Sequence, residues 1–229
     1  MAAMAGRRQR SSVSQEDYLK AILEMEQEDQ VPNGARLSEE LGVTPPAVTA
    51  ALKRMARHGT VRLEARGRIQ LTRKGRELAG HLILRHQLAE KLLVEVLGMS
   101  WTRVHDEAEK LEHAISPELE GLLLKHFGAD TTCPHGAPLR GGLAALKRTE
   151  KARPLSEVPA GQRVEILCVF EKDRRFLDYL DQRRLRPGTR LLVEHRDYDE
   201  AQLVVAGKTV HLGKNATERI WVKPFAARP

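Results

Sequence analysis

The sequence predicts a mainly helical, multi-domain protein that ends in a small β-barrel, and three observations carry that expectation. Residues 14 to 76 offer three short helical segments followed by a basic hairpin. Residues 73 to about 127 offer longer stretches with helical spacing. From residue 153 onward the pattern turns into short, strand-like runs, at a density that suits a small barrel.

The elements follow in order. The opening "MAAMAGRRQRSS" is basic and rich in small residues, without the apolar run of a secretory signal, and residues 1–13 are expected to be a disordered arm. From Gln15 to about Glu28, Tyr18, Ile22 and Met25 recur at helical spacing behind Ser14, a suitable N-cap. "VPNGA" breaks that helix, and "RLSEELGV" forms a short second one that stops near Gly42. Thr44 is placed to cap a third helix with Pro45 at its first position, running to Gly59. Val61 to Ala65 and Arg68 to Thr72 alternate around Gly67 and predict a hairpin. A long helix then spans roughly Arg73 to Leu97, Ser100 opens the next, and Ser116-Pro117 opens one reaching about His126. "GADTTCPHGAPLRGG" carries too much Gly and Pro for regular structure and marks a boundary. Residues 141–152 are expected to be a linker. Beyond them, "RVEILCVF", "TRLLVEHRD", "AQLVVAGKTVHLG" and "RIWVKP" supply about five strands, with a helix at "DRRFLDYLDQR".

The bulk numbers narrow the function classes. The chain has 229 residues, a net charge of +7 and only 4% aromatics, so its cores are built from aliphatic side chains. Two cysteines, Cys133 and Cys168, make no disulfide framework and fit a reducing, cytoplasmic setting. No apolar run is long enough to span a membrane. The charge is unevenly placed. Between Arg36 and Arg76 stand ten Lys/Arg against three Glu. A basic face on a three-helix bundle is often only solvated. Here the basic hairpin completes the pattern of a winged helix-turn-helix, whose third helix enters the major groove of DNA. Thr44, Pro45, Pro46, Ala47, Thr49 and Ala50 stand at the reading end of that helix. Lys53, Arg54 and Arg57 lie further along it, Arg36 precedes it, and Arg62, Arg66 and Arg68 belong to the wing. With no Asn, Gln or Arg at the helix start, read-out rests on van der Waals contact and DNA shape.

One segment reverses the charge. "HDEAEKLEHAIS", residues 105–116, packs two histidines and four acids into its first nine positions. At 100° per residue, His105, Glu109, Glu112 and His113 share an arc of about 100° on one helix face. His86 and Glu90 are spaced i, i+4 on the preceding helix, and Asp17 lies on the first. Carboxylates with imidazoles make a hard O/N site that suits Mn(II) or Fe(II); the other reading is a wet, acidic surface helix. The enzyme motifs fail their spacing tests. H-E-x-x-H is absent, and the residue three before His113 is Lys110 where a di-iron bundle needs a Glu. No catalytic residue is assigned and no small organic substrate is expected. A metal-dependent enzyme fused to a DNA-binding head stays as the alternative from another class.

A winged helix-turn-helix, then "RHQLAEKLL", "VHDEAEKLEHAIS" and "CPHGAPL", then a small barrel, resembles the diphtheria-toxin-repressor family of metal-dependent regulators, which includes manganese transport regulators. The likeness covers nearly the whole chain after residue 13. It implies a homodimer with a DNA-binding domain at 14–76, a helical dimerisation and metal-binding domain at 77–140, and an SH3-like domain at 153–229. That last domain also resembles the ferrous-iron transport accessory proteins, through "RRLRPGTRL" and "GKTVHLG". The resemblance implies two metal sites per subunit. Asp17, Glu109, Glu112 and His113 correspond to the primary, activating site. His86, Glu90 and His105 correspond to the ancillary one, completed by Cys133, His135 and either Glu171 or Asp173. Iron-responsive members carry Met and Cys where this chain has Asp17 and Glu109, while manganese-responsive members carry acids. The short manganese regulators, however, lack the third domain and have an acid where this chain has Lys20. The expected function is a Mn(II)-activated repressor acting on a palindromic operator of metal-uptake genes, with Fe(II) as the alternative signal.

Overall fold

The computed structural model describes residues 14–225, so the expected basic arm lies outside the described residues. Contacts within the chain group it into two units, Met1–Ile83 and Leu84–Pro229.

In the first unit, helix α1 (Gln15–Gln27) starts with a reciprocal cap: Asp17 N–H donates to Ser14 Oγ at 3.2 Å and Ser14 N–H to Asp17 Oδ2 at 2.7 Å. Its apolar face, Tyr18, Leu19, Ile22 and Met25, is buried with Leu37 of α2 (Gly34–Glu40) and with Val48, Leu52 and Met55 of α3 (Pro45–Arg57). Asn33 caps α2 through its side chain. Thr44 occupies the cap position of α3 without a capping hydrogen bond. Pro45 and Pro46 carry no N–H, so the first turn has fewer orphan donors for a cap to satisfy. Strands β1 (Val61–Leu63) and β2 (Ile69–Leu71) pair antiparallel with Val61 opposite Leu71. They are shorter than the sequence suggests, because Ala65–Gly67 coil into a 3₁₀ turn in which Arg66 and Gly67 both take positive φ. Val61, Ile69 and Leu71 point into the core, leaving the arginines outside.

Helix α4 (Arg73–Lys91) ends in a π turn over Leu92–Val96. Helix α5 begins at Val104, not at Ser100, and runs to Leu111 before a 3₁₀ turn, Glu112–Ala114. The reason lies in Trp101. Its ring is buried in the core of the C-terminal domain and its Nε1–H donates to Asp181 Oδ1 at 2.9 Å, which draws residues 101–103 out of a helical path. Helix α6 (Pro117–Phe127) starts at Ser116 as the sequence suggests, with Leu119 N–H donating to Ser116 Oγ. The expected linker is in part a helix, α7 (Gly142–Thr149). Leu143 and Leu146, one turn apart, bury against Ala152, Cys168 and Trp221, a periodicity hidden in sequence by the flanking glycines.

The last domain is a six-stranded antiparallel sheet in the order β3-β8-β4-β5-β6-β7, with helix α8 (Arg174–Gln182) after β4 and a short α9 (Lys214–Thr217) before β8. Its strands are β3 (Arg153–Pro154), β4 (Arg163–Val169), β5 (Arg190–Arg196), β6 (Glu200–Val205), β7 (Lys208–Gly213) and β8 (Ile220–Pro224). Bulges in β4 and β5 bend the sheet around Ile166, Leu177, Leu180, Val193, Leu203 and Val222. This is the small SH3-like domain. Among the described residues no helix is long and apolar enough to cross a membrane.

Two glycines of α4 separate packing from propensity. A Cβ on Gly75 would lie 2.0 Å from the carbonyl oxygen of Thr60, backbone that cannot swing aside, whereas one on Gly80 meets nothing within 4 Å. Gly75→Ala is expected to cost about 2 kcal/mol or more, from overpacking against the wing. Gly80→Ala should stabilise by up to about 1 kcal/mol, from helix propensity. Chemical denaturation of the two variants checks the opposite signs.

Candidate metal centre

Four elements of the second unit deliver side chains to one buried point. Helix α4 places His86 and Glu90 one turn apart on the same face. Helix α5 brings His105, and β4 leads into Glu171. The Gly/Pro-rich loop after α6 is ordered by its own hydrogen bonds. Cys133 N–H donates to Ala137 O, and Gly136 N–H donates to Cys133 O. Lys91 Nζ, buried on α4, holds the loop at Thr132 O (3.0 Å) and Thr131 Oγ1 (3.3 Å). Val169 N–H donates to His135 O and pins the loop to β4. Gly136 is required there: its φ is +94°, and a Cβ would stand 1.9 Å from Leu167 O. The loop thus presents Cys133 and His135 beside Glu171.

The histidines are oriented by what their outer nitrogens bond. His135 Nε2 lies 2.8 Å from the carbonyl oxygen of Trp101, which can only accept, so Nε2 carries a hydrogen and Nδ1 faces Glu90 and Glu171. His86 Nδ1 is 2.6 Å from Glu112 Oε2, which turns His86 Nε2 inward to 3.3 Å from Glu90 Oε1 and 3.1 Å from His105 Nδ1. Glu90 Oε1 is 3.1 Å from His135 Nδ1 and 3.8 Å from His105 Nδ1. Glu171 reaches both sides. Its Oε1 is 3.8 Å from His86 Nε2 and 4.0 Å from His105 Nδ1, while its Oε2 is 3.4 Å from His135 Nδ1 and 3.9 Å from Cys133 Sγ.

Burial makes this cluster expensive without a further partner. Glu90 and His135 are 0% exposed, yet both oxygens of Glu90 and Nδ1 of His135 lack a hydrogen-bond partner. Burial alone would raise the Glu90 carboxyl; the positive charges of His135 and His86 outweigh it and hold Glu90 well below the usual carboxylate range. Burial would lower His135, but the Glu90 carboxylate overrides it and keeps the imidazole protonated well above its ordinary value. Burial, then the nearby negative charge of Glu90, push the Cys133 thiol up to about 12. Orphaned lone pairs, three imidazoles, two carboxylates and a thiol are the donor set of a divalent transition-metal ion, and the residues fit one.

The other sequence-predicted ligands are placed as follows. Glu112 is buried between two histidines, with Oε2 on His86 and Oε1 3.7 Å from His113 Nε2. Glu109 is half exposed, 3.6 Å from His105 Nε2. Asp17 belongs to the first unit, where it forms the α1 cap. Asp173 stands apart from the cluster: it caps α8 through the N–H groups of Arg175 and Phe176 and pairs with Arg219 at 3.1 Å. Of the two alternatives, Glu171 is the one gathered in. Sequence reasoning did not foresee the outer partners, the Trp101 carbonyl and the Glu112–His86 bond; the Gly after Cys-Pro-His was the one readable sign of close backbone approach.

In the first unit, Thr44, Pro45, Pro46, Ala47, Thr49, Ala50, Lys53, Arg54 and Arg57 are all exposed along one side of α3, opposite buried Val48, Leu52 and Met55. The Thr49 hydroxyl donates to Pro45 O at 3.0 Å. Arg36 is exposed near Gln30 and Val31, and Arg62, Arg66 and Arg68 are exposed on the wing, Arg68 lying 3.9 Å from Glu64.

Three sequence families match in succession: the iron dependent repressor N-terminal DNA binding domain over residues 11–68, the iron dependent repressor metal binding and dimerisation domain over 72–139, and the FeoA domain over 153–224. The iron-dependent repressor IdeR of Mycobacterium leprae is 32% identical over 203 residues, covering 84% of this chain and 88% of that protein. The diphtheria toxin repressor of Corynebacterium diphtheriae is 32% identical over 191 residues, covering 80% and 84%. A solved manganese-dependent transcriptional repressor in complex with manganese superposes with a TM-score of 0.84 at 31% identity, covering 93% of this chain and all of that one. The metal-free manganese-activated repressor ScaR gives 0.79 at 26% identity, covering 91% and 100%. With matches in the same order along nearly its whole length, the chain belongs to the diphtheria-toxin-repressor family of iron-dependent repressors.

Proposed function

We propose that this protein is a homodimeric transcriptional repressor that divalent metal, Mn(II) first, brings onto a palindromic DNA operator of metal-uptake genes, and that it acts in the cytoplasm and not as an enzyme. The observation that carries the reading is the buried cluster of His86, Glu90, His105, Cys133, His135 and Glu171, with three donor atoms lacking hydrogen bonds. In this reading residues 14–76 bind DNA, 77–140 dimerise and hold metal, and 153–229 contribute Glu171. His86, Glu90, His105, Cys133, His135 and Glu171 form the ancillary centre. By the family resemblance, Asp17, Glu109, Glu112 and His113 form the primary centre.

A bound cation supplies positive charge that replaces protons among these donors. The residues do the rest. Glu112 fixes His86, the Trp101 carbonyl fixes His135, and the exposed face of α3 with the wing arginines meets DNA, chiefly through phosphates and groove shape. Metal favours the state in which the two recognition helices keep one spacing, and DNA selects that state. Oxygen donors at Asp17 and Glu109 support Mn(II). Fe(II) is the second reading, favoured by relatives named as iron-dependent.

Three outcomes are expected. Glu109→Ala should abolish metal-stimulated operator binding while the protein remains a dimer; titration of the metal-free protein with Mn(II), Fe(II), Zn(II) and Co(II), read by DNA binding, tests this and ranks the metals. Equal operator affinity for variant and wild type in excess Mn(II) would overturn it.

The two acids near the barrel should part company. Glu171→Ala is expected to weaken metal uptake by the ancillary centre at least ten-fold, the usual cost of removing a ligand or its close support. Asp173→Ala should leave metal affinity unchanged and lower stability by about 1 kcal/mol through loss of the α8 cap. Calorimetric titration and thermal melting separate them.

The third outcome concerns pH. Glu90 titrates below its unfolded value, so its stabilising contribution is present above about pH 4.3 and is lost as pH falls through the folded value. His135 titrates above its unfolded value, so its contribution is complete below about pH 6.5 and is lost as pH rises through the folded value. The metal-loaded protein needs neutral imidazole and gains as protons leave. The gap in Tm between loaded and metal-free protein should therefore widen from about pH 6 to about pH 8.5. A constant or narrowing gap would contradict the assigned charge states.

A further inference from the structure

We infer that the buried cluster holds two cations side by side, one on His86 and His105 and a second, thiolate-bound one on Cys133 and His135, with Glu90 and Glu171 shared between them. The inference rests on the metal-dependent reading above and raises the ancillary centre from one ion to two.

The geometry separates the donors into two sets. His86, Glu90, His105 and Glu171 offer ligand atoms that all lie within 4.8 Å of one another, and so do Glu90, Cys133, His135 and Glu171. The sets have only the two carboxylates in common. Ligands of one ion, at about 2.1–2.3 Å from it, stand no more than about 4.6 Å apart. Each set, with its atoms within 4.8 Å of one another, comes close to that limit as four donors, the number a closed transition-metal site uses.

Glu171 is disposed as a bridge. Oε1 faces the His86–His105 pair, at 3.8 and 4.0 Å, and Oε2 faces the Cys133–His135 pair, at 3.9 and 3.4 Å. Both oxygens of Glu90 are buried without a hydrogen-bond partner, and its Oε1 stands between the two sets, 3.3 Å from His86 Nε2 and 3.1 Å from His135 Nδ1. His135 Nδ1 is the third orphan, and its ring is held by the Trp101 carbonyl with that nitrogen aimed at the carboxylates. A single ion on the His86–His105 side would leave His135 Nδ1 buried and unsatisfied, a cost that native structures seldom carry.

The two positions differ in chemistry. The first offers only imidazole and carboxylate, a set that accepts Mn(II). The second adds sulfur, which loses its proton to solvent on binding, and selects a borderline or thiophilic cation such as Zn(II), Co(II) or Fe(II).

Metal-free full-length protein is loaded with Co(II), freed of excess by gel filtration, and read by elemental analysis and by the near-ultraviolet thiolate-to-Co(II) charge-transfer band. Cys133→Ser is expected to lose one Co(II) per chain together with the band. His105→Gln is expected to lose one Co(II) per chain and to keep the band at full intensity. Loss of the band in His105→Gln, or a wild-type metal count in Cys133→Ser, would show a single shared ion and overturn this inference alone. A wild type with neither a band nor a count above that of the two variants would overturn the ancillary centre itself. Operator binding in Mn(II) reports on the wider functional reading independently of these counts.

Discussion

Glu90 is fully buried on α4, ionised, and without a hydrogen bond to either oxygen. An unpaired carboxylate so placed costs several kcal/mol, and a protein tolerates it only where charge of the opposite sign converges on it. Three imidazoles do so here, from α4, α5 and the 131–139 loop, all within 4 Å of one carboxylate oxygen. The arrangement of the second unit follows from that requirement. The loop is too rich in Gly and Pro to hold itself, so Lys91 on α4 and Val169 on β4 clamp it by its backbone. The SH3-like domain is fixed to the same place because Trp101, whose carbonyl orients His135, sends its ring into that domain's core.

This arrangement gives the C-terminal domain a defined task within its own unit. It supplies Glu171, it provides the Leu167 carbonyl against which Gly136 packs, and it anchors Trp101 through Asp181. Removing the domain would therefore strip the cluster of a ligand candidate and loosen the two histidines on either side of it.

Much of this was legible in the sequence, and the parts that were not share a cause. Helical spacing located His86 with Glu90, and His105 with Glu109, because i, i+4 neighbours share a face wherever a helix forms. The expected arc does not extend further as one helix face, since α5 ends at Leu111 and Glu112 and His113 lie in the 3₁₀ turn that follows. The apolar face of α1 and the wing were readable for the same local reason. What failed to show was long-range. Trp101 displaces the start of α5 by packing 80 residues away in sequence, at Asp181. The choice of Glu171 over Asp173 is made by where β4 ends and by the need of α8 for a cap, neither of which spacing encodes. Glu112 looked like one more ligand on a helical arc, yet its shortest contact holds His86. The helix α7 escaped notice because its two buried leucines stand among glycines and charges whose local signal reads as linker.

The charge state of the cluster also explains how such a site can wait for its ion. Small zinc domains are unfolded without metal, because their ligands repel or remain unpaired. Here the metal-free protein uses a proton instead: the His135 imidazolium, 3.1 Å from Glu90, supplies the positive charge that the carboxylate needs. The pairing is an ion pair and not an aligned hydrogen bond, so both Glu90 oxygens keep lone pairs outside any hydrogen bond, and His135 Nδ1 regains one when its proton leaves. Cys133, with its thiol pushed up to about 12, stays neutral and adds no repulsion. In the metal-dependent reading proposed above, metal binding is then an exchange of protons for cations among these side chains. An exchange of that kind is reversible and pH-linked.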